Sequence, residues 1–348
     1  MSHRPGSTGT LAWADEARAM ISPSLRTAKF CLAFFSCAAL SLCGCKASAG
    51  SEPAKPPFMS AVATPQSLAA NDVPPADKTG GFDGKRAYDL VVKQVAYGPR
   101  PSGSPAIAQL QDFLDSELKS YGCTVEADNF NADTPAGRVA MKNLLVKIPG
   151  EKPGIILLAT HYDTKRLDNF VGADDGGSST GVMLEMARDL CPKRGRYAVW
   201  IAFFDGEEAV RPQWQDPDNR YGSRQMAAKF AASGDLKKIR ALILADIVGG
   251  RNLRIQRESD STKELTDLIW STAARLGYSG IFVNEDYPVT DDHGSFLKRG
   301  VPATDVIALN SAAGYWHTPQ DTMDKISAKS LAIVGHVLLE SVNQLQSK

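Results

Sequence analysis

The sequence predicts a single α/β domain, a three-layer α/β/α sandwich around a mixed, mostly parallel sheet. Three observations predict it. Strand-length apolar runs alternate with segments of helical periodicity from Phe82 to the C-terminus. No segment repeats another, so one central sheet with short crossovers is the economical arrangement. Acidic and histidine residues stand directly after several of the apolar runs, where open α/β sheets carry their sites.

The elements follow in order. Residues 85–97 place Tyr88, Val91, Val92 and Val95 at helical spacing, stopped by Gly98-Pro99. A turn-rich loop over 98–105 leads to a second helix with Ile107, Leu110, Leu114 and Leu118 on one face, ending near Gly122. Strands are expected at 123–126, 139–148 and 155–160, then a helix at 178–190 with Val182, Met183, Met186 and Leu190 inward. Strand 197–204, helix 222–232, strand 241–246 and helix 262–276 continue the alternation. A short strand near Phe282, a helix at 293–299, a strand at 303–308 and a long helix at 327–345 complete it.

The 348 residues are 43% hydrophobic and 22% charged, and 39 basic residues balance 39 acidic ones. That balance gives no reason to expect nucleic acid as a partner. Residues 1–45 read as an export signal: Arg26 and Lys29 precede the apolar stretch 30–42, too short to span a bilayer comfortably. Leu42-Cys43-Gly44-Cys45 resembles a bacterial lipobox with Cys45 as the lipidated residue, although Cys43 is unusual inside such a box. The expected location is the periplasm or a membrane surface, with contact to the membrane only through that lipid. Residues 46–80, rich in Pro, Ala and Ser, read as a flexible tether, and 81–348 as the catalytic domain. Of the six cysteines only Cys123 and Cys191 lie in the body, where they either pair or stay as two buried thiols.

The chemistry is organised around Phe203-Phe204-Asp205-Gly206-Glu207-Glu208, which ends the apolar strand at 197–204. Adjacent side chains on extended backbone diverge, so one carboxylate can bind a metal while its neighbour moves protons. His161-Tyr162-Asp163 follows the strand at 155–160, and Gly172-Ala173-Asp174-Asp175-Gly176-Gly177 opens a helix. Asp246 ends a strand, and Trp316-His317-Thr318 lies in a loop after the last one. Carboxylates and imidazoles at separate strand ends suit zinc, whose ligands must converge while packing holds their backbones apart.

With these residues in place, the chain resembles zinc exopeptidases of the bacterial leucyl aminopeptidase type. Those enzymes have His-x-Asp, Gly-Ala-x-Asp, Glu-Glu, Asp and His in this order. Within that fold it is more similar to the glutaminyl cyclases (glutaminyl-peptide cyclotransferases). The matching segments are His161-Tyr162-Asp163-Thr164-Lys165, 203–209, Tyr221-Gly222-Ser223-Arg224, Asp291-Asp292-His293 with Phe296-Leu297, Arg299-Gly300-Val301-Pro302 and Trp316-His317-Thr318. The resemblance implies a zinc held by Asp175, Glu208 and His317, with Glu207 as proton shuttle and Asp246 and Asp291 in its network. Trp214 and Trp316 would wall the substrate pocket. His161 and Asp246 complete a two-zinc set, so one ion or two are both open. Asp305 stands where animal cyclases commonly have histidine, and Thr160 and Thr180 stand where those enzymes have a disulfide.

The implied reaction converts an N-terminal glutamine of a peptide to pyroglutamate with release of ammonia, by a chain acting as a monomer. The rival is a zinc aminopeptidase using His161 and Asp246 for a second ion. Asp291-Asp292 and the tryptophan before His317 favour the cyclase, since neither is needed to activate water. A third reading is a surface lipoprotein that only binds peptides, against which no ligand or base position is lost. Asp163 is read as orienting a ligand, Asp174 as a turn residue, His293 as a helix cap, His336 as surface or packing, and Arg211 and Arg220 as exposed.

Overall fold

The structure, a computed structural model, describes residues 72–348. The expected signal with its lipobox at Cys45, and the tether as far as residue 71, lie outside them. The last tether residues are ordered: Ala76–Lys78 form a 3-10 turn and the buried Thr79 hydroxyl donates to the Phe82 carbonyl at 2.6 Å.

Among the described residues eight strands run in chain order: β1 (Val125–Thr134), β2 (Gly137–Ile148), β3 (Gly150–His161), β4 (Gly195–Phe204), β5 (Ile239–Asp246), β6 (Ile255–Glu258), β7 (Phe282–Tyr287) and β8 (Ala303–Ile307). Six form one mixed sheet in the order β1-β2-β4-β3-β5-β8, while β6 and β7 pair by themselves. The β1–β2 and β2–β4 pairings are antiparallel, and β4–β3, β3–β5 and β5–β8 are parallel. The chain leaves β3 to one side for β4, then returns to the other side for β5. That reversal opens a crevice beyond the carboxyl ends of β3 and β5, the place where such sheets bind ligands.

The helices are α1 (Gly84–Val95), α2 (Pro105–Ser120), α3 (Gly177–Leu190), α4 (Tyr221–Ser233), α5 (Lys263–Arg275), α6 (His293–Leu297), α7 (Leu309–Ala312) and α8 (Ala328–Ser347). Period-two alternation along the strands sorts the core into two layers. Ile156, Leu158, Val199, Ile201, Phe203, Ile243 and Ala245 meet α1, α2, α3, α5 and α8 on one face. Leu157, Ala159, Trp200, Ala202, Phe204, Leu242 and Leu244 meet α4 and α6 on the other. Central strands buried on both faces read as unbroken apolar runs, which is why the sequence shows them plainly. Local signals set the helix starts: the Asp83 side chain accepts from the Lys85 and Arg86 amides, and Ser104 accepts from Ile107 ahead of Pro105. Among the described residues no helix is long and apolar enough to cross a membrane.

Three expectations change. The strand expected at 123–126 extends to Thr134 and forms a hairpin with β2, because its polar alternation suits an edge strand with one exposed face. The pair β6–β7 and the short α7 were not anticipated beyond a strand near Phe282. The open choice at Cys123 and Cys191 resolves to a disulfide joining residues 68 apart in sequence, 5.3 Å between Cα atoms. Closing a loop of that length stabilises a fold by about 2–4 kcal/mol.

Helix α8 crosses the entry to α1 by direct backbone approach. A Cβ on Gly335 would lie 2.2 Å from Cζ of the fully buried Phe82 ring, and one on Gly84 would lie 2.4 Å from the Ala328 carbonyl. Gly335→Ala should therefore destabilise the fold by about 1–3 kcal/mol through overpacking. A lowered urea midpoint at unchanged slope is the expected result.

Candidate metal centre and active site

The parallel register brings the first residues together. Ala159 pairs with Leu244, so His161 and Asp246 stand two residues further at the same height, at the ends of neighbouring strands. His161 Nε2 lies 3.0 Å from Asp246 Oδ1 and 3.3 Å from Asp175 Oδ1. The other oxygen of Asp175 lies 3.3 Å from His317 Nε2, which is 3.2 Å from Glu208 Oε1. Asp175 thus joins two groups, His161–Asp175–Asp246 and Asp175–Glu208–His317, each with ligand atoms within 4.8 Å of one another.

Local backbone explains the convergence. Gly176 adopts φ of 74°, and a Cβ there would lie 2.9 Å from both the Asp163 carbonyl and the His161 ring, so this turn reaches β3 only with glycine. Asp163 accepts the amides of Glu207 and Glu208 on its two oxygens at 3.1 and 3.2 Å. Asp218 does the same for Val210 and Arg211, at 3.1 and 2.9 Å. Asp163 therefore orients the glutamate pair more directly than it orients His161, whose Nδ1 is 3.5 Å away. His317 and Ile247 hold left-handed φ values of 51° and 48°, strained backbone for non-glycine residues at a site.

The two groups differ in how their polar atoms are satisfied. His161 Nε2 and Asp246 Oδ1 hydrogen-bond each other and leave only the outward His161 Nδ1 unpaired, whereas Asp175 Oδ2 and both Glu208 oxygens are buried without hydrogen-bond partners. Such orphaned atoms cost free energy unless something binds them. Tetrahedral zinc with ligands at about 2.0–2.1 Å keeps those ligands about 3.3 Å apart. The observed separations of 3.2 and 3.3 Å in Asp175–Glu208–His317 fit that ion. Buried Lys165 stands 3.5 Å from Glu208 Oε2 and donates to the Ala209 carbonyl.

Glu207 diverges from Glu208, as adjacent residues must. Its carboxylate accepts the Trp214 indole N–H at 3.0 Å and lines a cavity of about 470 Å³. Asp175, Asp246, Asp291, Trp214, Trp316 and His317 line the same cavity, so it gathers most of the residues singled out in the sequence. Trp316 is partly exposed and stacks on His317 with centroids 3.9 Å apart. Burial, then Glu208, Asp291 and Asp292, push Glu207 well above the usual carboxylate range, against the pull of His161. Burial likewise pushes Asp246 up to about 7, with Asp291 and Asp175 adding to it against His161. Burial opposes charge on His317, yet Glu208 and Asp175 outweigh it and lift the imidazole to about 9.

Other residues fall elsewhere. Asp174 is outside both groups: it accepts from the Gly249 amide at 2.7 Å and the Tyr315 hydroxyl at 2.6 Å. His293 is not a helix cap, since it is buried with Nε2 3.0 Å from Glu258 Oε2 and Nδ1 3.7 Å from Asp305. Burial and the charges of Asp291, Asp246 and Glu258 push Asp305 well up. Arg220 is not exposed either: it is buried, donates to the Asp291 carbonyl and pairs with Asp216. Arg211 is exposed, and His336 packs against Tyr278. Arg100 and Asp321 were missed. Arg100 is buried, donates to the carbonyls of Tyr162, Val171 and Gly172, and is drawn down to about 10 by burial. Asp321 holds the Asp174 and Asp175 amides, and burial with those neighbouring charges pushes it up to about 8. The only signal for it was an acid four residues after His317.

The mixed sheet and the convergent carboxylates and imidazoles define a protein of the exopeptidase-like α/β class with side chains grouped as metal donors. A family profile, Peptidase family M28, matches residues 143–342, and the chain belongs to that family. The glutaminyl-peptide cyclotransferase-like protein of mouse (Mus musculus) is 30% identical over 274 residues, 70% of this chain and 71% of the relative. Among solved structures, an Acidobacteriales bacterium glutaminyl cyclase is 41% identical with a TM-score of 0.71, covering 76% of this chain and 95% of that one. A Zn-dependent exopeptidase from Parabacteroides distasonis is 29% identical with a TM-score of 0.68, covering 74% and 97%.

Glu208→Gln takes a donor oxygen from the Asp175–Glu208–His317 group, and zinc affinity should fall by more than about 100-fold if that group is the binding site, since even residues supporting a metal site are worth 10–100-fold. Asp246→Asn should leave one zinc per chain. Chelator competition with metal analysis of both variants checks the pair.

Proposed function

We propose that this chain is a zinc-dependent glutaminyl-peptide cyclotransferase, converting N-terminal glutamine of peptides to pyroglutamate with release of ammonia. The observation that carries the reading is the division of labour between adjacent glutamates. Glu208 turns to Asp175 and His317, while Glu207 faces the cavity with a bond to Trp214. The names of the mouse relative and the Acidobacteriales structure support the same reaction.

Zinc held by Asp175, Glu208 and His317 would supply a Lewis acid for the γ-carbonyl of the glutamine. The α-amino nitrogen attacks the carbonyl carbon of that side-chain amide, Cδ, a ring C–N bond forms, and the bond from Cδ to the side-chain nitrogen breaks. Glu207 takes the proton from the α-amino nitrogen and returns it to the departing ammonia. A raised pKa suits both transfers, and Asp246 and Asp291 line the same cavity beside it. Because attack is intramolecular, holding the glutamine folded back on itself supplies much of the rate. Trp214 and Trp316 do that holding.

The aminopeptidase reading rests on the second group, His161–Asp175–Asp246. His161 Nε2, the atom that faces that group, is already bonded to Asp246 Oδ1 at 3.0 Å, which favours a single ion and the cyclase. Export fits the same account: a disulfide between Cys123 and Cys191 persists in oxidising compartments. The signal itself, and a lipid on Cys45, rest on residues outside the described ones.

Glu207→Gln should cut turnover by about 10²–10⁴-fold while zinc content stays normal. Ammonia release from a Gln-initiated peptide without shortening is the assay, and free leucine from a Leu-initiated peptide would select the peptidase instead. Trp214→Phe removes an N–H that favours charged Glu207, so its pKa rises. The acidic limb of kcat/KM should then move to higher pH, with a loss of about 10–100-fold at neutral pH.

A further inference from the structure

The loop that brings His317 to the site also carries an acid outside the proposed mechanism. Asp321 is fully buried and lies four residues beyond His317. Its Oδ1 accepts the Asp174 amide at 2.8 Å, its Oδ2 accepts the Asp175 amide at 3.0 Å, and its backbone carbonyl accepts the Ala173 amide at 3.3 Å. Three bonds from one residue therefore hold three consecutive amides of the turn that presents Asp175. The same loop reaches that turn again through the Tyr315 hydroxyl, which donates to Asp174 Oδ2. Within its own loop the Asp321 amide donates to the Thr318 carbonyl at 3.1 Å, next to His317.

We propose that Asp321 is a positioning residue, which fixes the Asp175 turn against the His317 loop so that two zinc ligands from distant parts of the chain arrive already set. The geometry demands a carboxylate. Two N–H donors point at two oxygens, and an amide in that place would aim one NH₂ arm at an N–H. Neither Asp175 nor His317 is strapped to its partner by regular secondary structure. Asp175 precedes α3 in a glycine turn, and His317 sits in left-handed backbone. Without the clamp each would be free to move by more than the few tenths of an ångström that a metal tolerates.

This inference rests on the zinc reading of Asp175, Glu208 and His317. The test measures zinc affinity by chelator competition for the full chain and for Asp321→Asn, with amide hydrogen exchange at Asp174 and Asp175. Asp321→Asn should remain folded, bind zinc about 10–100-fold more weakly and exchange those two amides at least about tenfold faster. Zinc affinity within about twofold of the parent would overturn the proposal. Should the variant fail to fold, exchange in the parent chain decides. Amides that stay protected after zinc is stripped support a clamp made by Asp321, and amides released with the metal show that zinc orders the turn instead. A parent chain that takes up no zinc would overturn the metal reading and this inference with it.

Discussion

The structure depends on carboxylates gripping pairs of consecutive backbone amides. Asp163 holds the Glu207 and Glu208 amides, Asp321 holds those of Asp174 and Asp175, and Asp218 holds those of Val210 and Arg211. Each grip turns a loop past a strand end into a rigid support without regular secondary structure. Each grip puts two hydrogen bonds on one side chain, so neither amide is left unpaired in a buried loop. Loops are where functional residues accumulate, and here the scaffold that makes them stiff is itself acidic.

That arrangement has an electrostatic consequence. Glu207, Asp246, Asp291, Asp292 and Asp305 are all buried at one edge of the sheet. Buried like charges oppose one another's ionisation, and burial with those neighbours displaces Glu207, Asp246 and Asp305 upward. A site that moves a proton from one nitrogen to another within a single turnover benefits from carboxyl groups that hold a proton more tightly than usual. The fold creates that condition by packing acids from four separate segments behind two tryptophans.

Much of this was legible in the sequence, for physical reasons that vary by residue. Strands β3, β4 and β5 are buried on both faces, so their apolar runs announce them, and the acids that follow inherit their position. His161, Glu207, Glu208 and Asp246 stand at strand ends and Asp175 in a glycine turn, while the choice of Asp175 over Asp174 and the part given to His317 in its loop came from the resemblance to the glutaminyl cyclases. The β1 hairpin was shortened because Glu126, Asp128, Asn129 and Asn131 carry no apolar run. Arg220, His293 and Arg100 were misjudged or missed for another reason. Their burial depends on partners distant in sequence: Asp291 is 71 positions from Arg220, Tyr162 is 62 from Arg100, and Glu258 is 35 from His293. Asp321 belongs with them, since an acid in a polar loop looks solvated until the turn it grips is known.

The central claim is that Asp175, Glu208 and His317 share one ion and leave Glu207 free to carry protons. Anomalous diffraction at the zinc absorption edge from crystals of the zinc-loaded chain tests it directly. The account predicts one peak among those three side chains, with none between His161 and Asp246. Two peaks about 3.5–4 Å apart, the spacing of paired catalytic ions, or a single peak beside Glu207, would contradict it.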